Sequence, residues 1–276
     1  MELLVDDYKD FDKFDNIKFS VSSRNKPTAM PVRDFLKSEY GFLRYDQIDT
    51  VYGFTKDLVP LYGGRSFKKD FVLTDEDLSN MYDDGIGLRL PLSNSLVTYE
   101  DYQASKSFLK LHHRKGNDVI ITVKKLAEWI REDFPLYTID CSTIKNYRPS
   151  QIDNSFNDGL YDNTVLSARF NHDPKIADIK NKDKVIVFVN SKCGWTCQTP
   201  TCYMQVSQHN KGITETFTCS EDGGTSKVIF DLKYYVDLGF SHFKLTPINE
   251  NVGITLNLLW KLTKIVCFCT QNSDFM

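Results

Sequence analysis

The sequence predicts an α/β fold, a single-domain (β/α)8 TIM-barrel-like architecture, and three observations carry that reading. About eight short β-like runs are spread along 276 residues, a length that suits one closed barrel. Helical patterns separate the runs, as the crossover connections of a parallel sheet require. Several runs, notably Val-Ile-Ile-Thr-Val and Val-Ile-Val-Phe-Val, are continuously apolar, which is the pattern of strands covered on both faces.

In chain order the predicted runs are Ile17 to Val21, Thr50 to Phe54, Ile86 to Leu90, Val119 to Val123, Leu136 to Ile139, Thr164 to Ala168, Val185 to Val189 and His242 to Leu245. Thr74 to Met81 opens with Thr-Asp-Glu-Asp and Thr98 to His113 opens with Thr-Tyr-Glu-Asp, so each predicted helix begins with a hydroxyl cap followed by acids. His112, His113, Arg114 and Lys115 close the second of these, where cations offset the negative end of the helix dipole. Lys124 to Phe134 and Phe230 to Leu238 also fit helices, the latter stopped by Gly239. With no internal repeat and no Pro-rich linker, residues 15–250 read as one barrel domain and 251–276 as a C-terminal helix and tail.

Composition narrows the function classes. Charged residues at 26% and hydrophobic ones at 41% are ordinary for a folded soluble chain, and a net charge of −3 argues against electrostatic coating of nucleic acid. A local basic patch could still hold a structured RNA. The acidic start, Met-Glu-Leu-Leu-Val-Asp-Asp, has no basic region and no long apolar run, so a cytoplasmic location is expected. Val252 to Phe268 is broken by Asn257, Lys261 and Lys264 and reads as an amphipathic helix rather than a membrane span. No membrane association is predicted.

Seven cysteines in a chain expected to be cytoplasmic point to ligands or core residues rather than disulfides. Cys193, Cys197 and Cys202 fall within ten residues just after the seventh run, and Cys219 follows. Thiolates at this spacing can turn toward one soft metal centre, an iron-sulfur cluster or zinc, at the end of the barrel where active-site loops gather. The plainer alternative is that some are buried small hydrophobes. The paired Cys-x-x-Cys knuckles of zinc ribbons are missing, yet a four-cysteine zinc site of a structural, accessory protein stays open. A radical S-adenosylmethionine-type cluster is a further alternative. Its three-cysteine signature ends with a gap of two residues and follows the first strand, whereas here four residues separate Cys197 from Cys202 after the seventh run.

Other candidates are polar residues near predicted strand ends. Arg169, Asn171 and His172 leave the sixth run, where a guanidinium fork could hold a carboxylate, phosphate or ribose, or simply brace the next loop. His209 follows the cysteines and could bond substrate or cluster sulfur, or lie in a surface loop. Gly63-Gly64-Arg65 with Lys68 and Lys69 suits an anion through backbone donors and charge, or is a solvated loop. Phosphate-loop, zincin and nucleophile-elbow motifs are missing, and no nucleophile has a convincing His partner in sequence.

Three segments carry a family resemblance. Val165-Leu-Ser-Ala-Arg169-Phe-Asn171-His-Asp173, followed by Val185-Ile-Val-Phe-Val-Asn190-Ser-Lys-Cys193, is similar to the late strands of the collagenase-like peptidase family, peptidase family U32. Leu238-Gly-Phe-Ser-His-Phe-Lys244-Leu resembles the closing strand of that family. The resemblance implies a barrel carrying a [4Fe-4S] cluster on cysteines and oxygen-independent hydroxylation of a quinone precursor or an RNA base, with a partner protein subunit where the chain does not act alone. Peptidase is the historical label. Two departures stand out: Gln198 occupies the position after the second cysteine where the family usually has proline, and no cysteine lies near the second strand. The fourth ligand is therefore Cys219 or, as a substitute, Cys267 or Cys269.

Overall fold

Eight parallel strands close into a barrel in a computed structural model that describes residues 12–191, 202–215 and 228–246. The barrel strands are β1 (Lys18–Ser22), β2 (Ile48–Tyr52), β3 (Gly87–Leu90), β4 (Asp118–Ile121), β5 (Thr138–Cys141), β6 (Asn163–Val165), β7 (Val185–Phe188) and β10 (His242–Leu245). Each pairs with its sequence neighbour, and β10 closes the ring between β7 and β1. A two-stranded antiparallel pair, β8 (Asn190–Ser191) with β9 (Val228–Ile229), stands just beyond β7.

All eight predicted runs overlap a barrel strand. Strand β2 lies two residues earlier than expected, β6 ends three residues early, and β5, expected over Leu136 to Ile139, is found two residues later, with Leu136 exposed. Asp140, which the expected run leaves out, is part of β5, and its side chain is paired in the barrel with Arg89 and Asn163.

The crossover helices follow the same logic. Helix α3 (Asp75–Asp83) starts at Thr74, whose hydroxyl accepts from Asp77 N while the Asp77 carboxylate accepts from Thr74 N, a complete capping box. Thr98 and Asp101 repeat the arrangement at α4 (Tyr99–Ala104). The single helix expected over Thr98 to His113 is instead two, because Ser105 Oγ bonds back to Asp101 O at 2.7 Å and the chain restarts as α5 (Lys106–Leu111). Helix α6 (Lys124–Asp133) and helix α9 (Leu232–Asp237) lie where expected, and Gly239 ends the latter with φ +96°. The helix expected within 251–276 lies outside the described residues.

Four helices were not expected, α1 (Asp12–Asp15), α2 (Val32–Tyr40), the single turn α7 (Pro149–Ile152) and α8 (Cys202–Asn210). Pro31 precedes α2 and its own side chain caps nothing. The cap comes from another helix: Asp77 Oδ1 accepts from Val32 N at 2.8 Å. The same carboxylate binds the fully buried Lys26 through Oδ2 at 2.7 Å, so one aspartate joins the loop after β1, the start of α2 and the start of α3.

Alternation along the strands divides the interior in two. Phe19, Val21, Val51, Leu88, Val119, Ile121, Ile139, Val185, Val187 and Phe243 are buried and belong to the main apolar core between strands and helices. The residues between them face the lumen, which is polar: Ser20 bonds Thr50 across β1 and β2, and Arg89 reaches both Asp118 and Asp140. Expected burial on both faces is therefore correct, but one face is filled by polar and charged groups rather than by aliphatic layers. Among the described residues no helix is long and apolar enough to cross a membrane.

Candidate functional site

The carboxyl ends of the barrel strands form a mouth, and the chain itself bridges it. After β8 the chain reappears at helix α8 (Cys202–Asn210), which docks on the loops after β2 and β3, opposite β7 in the barrel order. Asn210 Nδ2 donates to Arg65 O at 2.7 Å and to Tyr62 O at 3.2 Å, while its Oδ1 accepts from Phe67 N at 3.0 Å. Ser207 accepts from Ser95 N and from Asn94 Nδ2, through its hydroxyl and its carbonyl respectively. Lys211 Nζ donates to Leu96 O and pairs with Asp101 at 2.6 Å. The chain returns at β9, beside β8, so the excursion leaves from one side of the mouth and is fastened to the other.

The loop after β2 is shaped by its glycines. A Cβ on Gly63 would lie 2.2 Å from Asn94 N, so the loop can press against the β3 loop only without a side chain there. Gly64 turns through φ +75°, and Arg65 then comes inward. Leu61 and Tyr62 are fully buried, so this Gly-Gly-Arg element is packed at its root, with Lys68 and Lys69 exposed beyond it.

Below the mouth lies the charged lumen. Arg89 donates to Asp118 Oδ2 from Nε at 2.8 Å and from Nη2 at 2.6 Å, and its Nε lies 3.0 Å from Asp140 Oδ2. Asn163 donates to the other Asp140 oxygen at 2.9 Å. Burial holds the Asp118 carboxyl well above the usual carboxylate range, against the pull of the Arg89 guanidinium and with the added repulsion of Asp140.

Lys244 stands near the end of β10, 7% exposed, with its ammonium 4.2 Å from the Tyr52 ring centre and 5.7 Å from that of Phe188. Burial pushes it down to about 7, Arg89 and Arg65 add repulsion, and Asp140 opposes them. Tyr52 is itself fixed by donating to Leu245 O at 2.7 Å. Lys244 and Asp118 are thus two lumen groups whose protonation changes near neutral pH, the range in which side chains exchange protons with a substrate.

Sequence reasoning passed over Arg89, Asp118, Asp140 and Lys244 as site residues. A signal was there: a charge in the middle of an apolar parallel strand, as in Gly87-Leu-Arg-Leu90, Thr138-Ile-Asp-Cys141 and His242-Phe-Lys-Leu245, has only the lumen to face.

The residues singled out from the sequence fall in different places. Cys202 opens α8 and is half-buried, whereas Cys193, Cys197, Cys219, Cys267 and Cys269 lie outside the described residues. Among the described residues there is no group of three or more His, Cys, Asp and Glu side chains able to hold a metal ion. His209, on the same helix as Cys202, has Nδ1 3.3 Å from Thr214 O. Asn171 is fully buried and donates to Phe188 O at 2.7 Å, bracing the end of β7, while Arg169 and His172 are exposed and His172 packs on Phe230. Cys141, buried on the outer face of β5, is a core residue, and burial pushes its thiol up to about 12.

Comparison with solved structures finds the U32 peptidase Mk0906, matched with a TM-score of 0.56 over 85% of this chain and 94% of that one, at 13% sequence identity. The fold is similar to that of Mk0906. Comparison of the sequence with family models and with curated proteins gives no match. The U32-type fold agrees with the family resemblance read from the late strands, and at this identity it establishes the architecture rather than the chemistry.

Proposed function

We propose that this chain is an enzyme, or the subunit of one, that works at the carboxyl mouth of its barrel, with an iron-sulfur cluster held by Cys193, Cys197, Cys202 and Cys219. The observation that carries the reading is the fastening of α8 across the mouth, which sets Cys202 on the segment that bridges it. A set of four thiolates is chemically suited to iron and sulfide. When bound, such a cluster would supply one-electron redox chemistry. The chain's own residues would do the rest: Lys244 and Asp118 exchange protons, Arg89 fixes the lumen carboxylates, and α8 limits the access of water. On this reading the reaction is an oxygen-independent hydroxylation or another redox modification of an aromatic small molecule or a nucleobase.

The test is anaerobic iron and sulfide analysis of the wild type beside Cys193→Ala and Cys202→Ala. The expected result is about four irons per wild-type chain, as a [4Fe-4S] cluster requires, and loss of iron in both variants with the barrel intact by circular dichroism. Iron content unchanged by either substitution would overturn the ligand set. Zinc in a closed four-thiolate shell would turn the reading toward an accessory protein with a structural metal.

Peptidase activity is the second reading, favoured by the structural likeness to Mk0906, which is described as a peptidase. Cleavage of a peptide library by metal-free protein, abolished by Lys244→Met, would support it.

A further inference from the structure

Most buried cations in this barrel are paired, and two cationic groups at the mouth stand apart from that pattern. Lys26 has Asp77 at 2.7 Å, and Arg89 has Asp118 at 2.6 Å and Asp140 at 3.0 Å. Lys244 is buried too, at 7% exposed, yet among the described residues its ammonium has no hydrogen-bond acceptor or carboxylate, only the faces of Tyr52 and Phe188. Arg65 Nη1 is likewise buried with no hydrogen-bond partner among the described residues. Arg65 and Lys244 feel each other's charge, and Tyr52 lies within the field of both.

We infer that Lys244 and Arg65 form a binding site for the oxyanion head, carboxylate or phosphate, of a small-molecule ligand that enters the barrel mouth. Two unpaired cations within each other's field repel, Lys244 buried and Arg65 with Nη1 shielded from water, and a negative group between them lowers that cost. Among the described residues no lumen carboxylate is left for that task. Asp118 and Asp140 are engaged by Arg89, and Asn163 takes the remaining Asp140 oxygen. Arg65 offers a donor fork and Lys244 a point charge, a combination suited to a compact oxyanion.

The surroundings are built to hold this geometry. Gly63 and Gly64 let the loop turn Arg65 inward, and Asn210 of α8 grips the Arg65 carbonyl at 2.7 Å. Tyr52, anchored on Leu245 O, and Phe188 wall the Lys244 stem. The site lies inside the mouth, which selects a small molecule over a polymer. It rests on the mouth being the working end and not on the cysteines holding iron.

The experiment is calorimetric titration of the purified full chain with inorganic phosphate and, separately, with benzoate. Saturable one-to-one binding of at least one anion is expected, weakened about tenfold or more by Lys244→Met and by Arg65→Gln, the scale of loss when one member of a buried charged pair is removed. An anion beside Lys244 raises its proton affinity, so binding near pH 8 takes up a fraction of a proton, read as a dependence of the heat on buffer ionisation enthalpy. The groups that set this uptake are Lys244 itself, Arg65, Arg89, Asp140, Asp118 and, lower in the lumen, His242.

The proton uptake vanishes in Lys244→Met and persists in Arg65→Gln. Preference for benzoate points to an organic acid, and preference for phosphate points to a phosphoester. Binding of neither anion, or binding indifferent to both substitutions, overturns the site. Should Lys244→Met fail to fold, Arg65→Gln decides, because Arg65 is half-buried on a loop rather than on a strand. Iron content measured on the same preparations is expected to be unaltered, so failure here is separable from failure of the cluster.

Discussion

The side-chain amide of Asn210 donates to the main-chain carbonyl of Arg65 at 2.7 Å, joining the helix that follows the seventh strand to the loop that follows the second. These segments are 145 residues apart in sequence, and the strands they follow, β7 and β2, are separated in the ring by β10 and β1. Asn210 also holds Tyr62 O and Phe67 N, so one amide uses its donors and its acceptor on a single loop.

Asn210→Ala is expected to cost roughly 1–3 kcal/mol, since it leaves buried backbone groups without partners. Hydrogen exchange should speed up in residues 202–215 and in the loop at 62–67 while the strands keep their protection. Uniformly faster exchange through the barrel would show that the amide supports the whole fold instead of fastening α8.

Arg89→Met should leave Asp118 and Asp140 buried without a cation, a change on the order of 3–5 kcal/mol at about pH 8. Protonation relieves the Asp118 carboxyl, which burial holds above the usual carboxylate range, so the gap between variant and wild type should narrow as pH falls to about 5. Urea unfolding at the two pH values measures both terms. A gap independent of pH would mean that the loss is one of packing.

Lys244 has a folded-state pKa near 7, below its usual 10.5, so the unfolded chain binds the extra proton between those values. Its contribution to stability therefore rises with pH across that window. Asp118 is shifted the other way, and its contribution falls as pH rises from the ordinary carboxylate range toward neutrality. Replacing Lys244 with Met should stabilise the barrel at neutral pH and below by roughly 1–3 kcal/mol, in the manner of other buried charges exchanged for apolar groups. The rise between pH 7 and 10.5 should flatten in thermal melts.

Thr74→Ala and Asp77→Ala remove opposite halves of one capping box, yet their costs should differ several-fold. The threonine provides a local cap, about 1 kcal/mol. The aspartate also caps α2 through Val32 N and neutralises the buried Lys26, so its loss should approach roughly 3–5 kcal/mol. A double substitution of Lys26→Met with Asp77→Ala should recover part of that difference in chemical denaturation. Equal costs for the two single variants would refute the proposed role of Asp77 as the link between helices.

How much of this was legible varies by residue. The Thr-x-x-Asp caps at Thr74 and Thr98 were readable because a capping box closes within four residues. Helix α2 was missed because its cap, Asp77, arrives from 45 residues away. Strand β5 was placed two residues early because a run of apolar residues does not include Asp140, whose partner Arg89 is supplied by another strand. Cys202 was found as a candidate ligand from thiol spacing alone. Arg65 was found as an anion candidate from its glycine neighbours, but its pairing with Lys244 was not foreseen.

By itself the sequence determined the number and order of strands and the local caps, because apolar runs and short-range hydrogen bonds are properties of neighbouring residues. It also placed four thiols on one stretch of chain after the seventh strand. Only the tertiary structure decided which face of each strand meets water, protein or the lumen, and which charges lie together there. Closure of the ring brings Arg89 to Asp140 and Lys244 to Tyr52 across strands that are not neighbours, and no periodicity along the chain encodes that convergence.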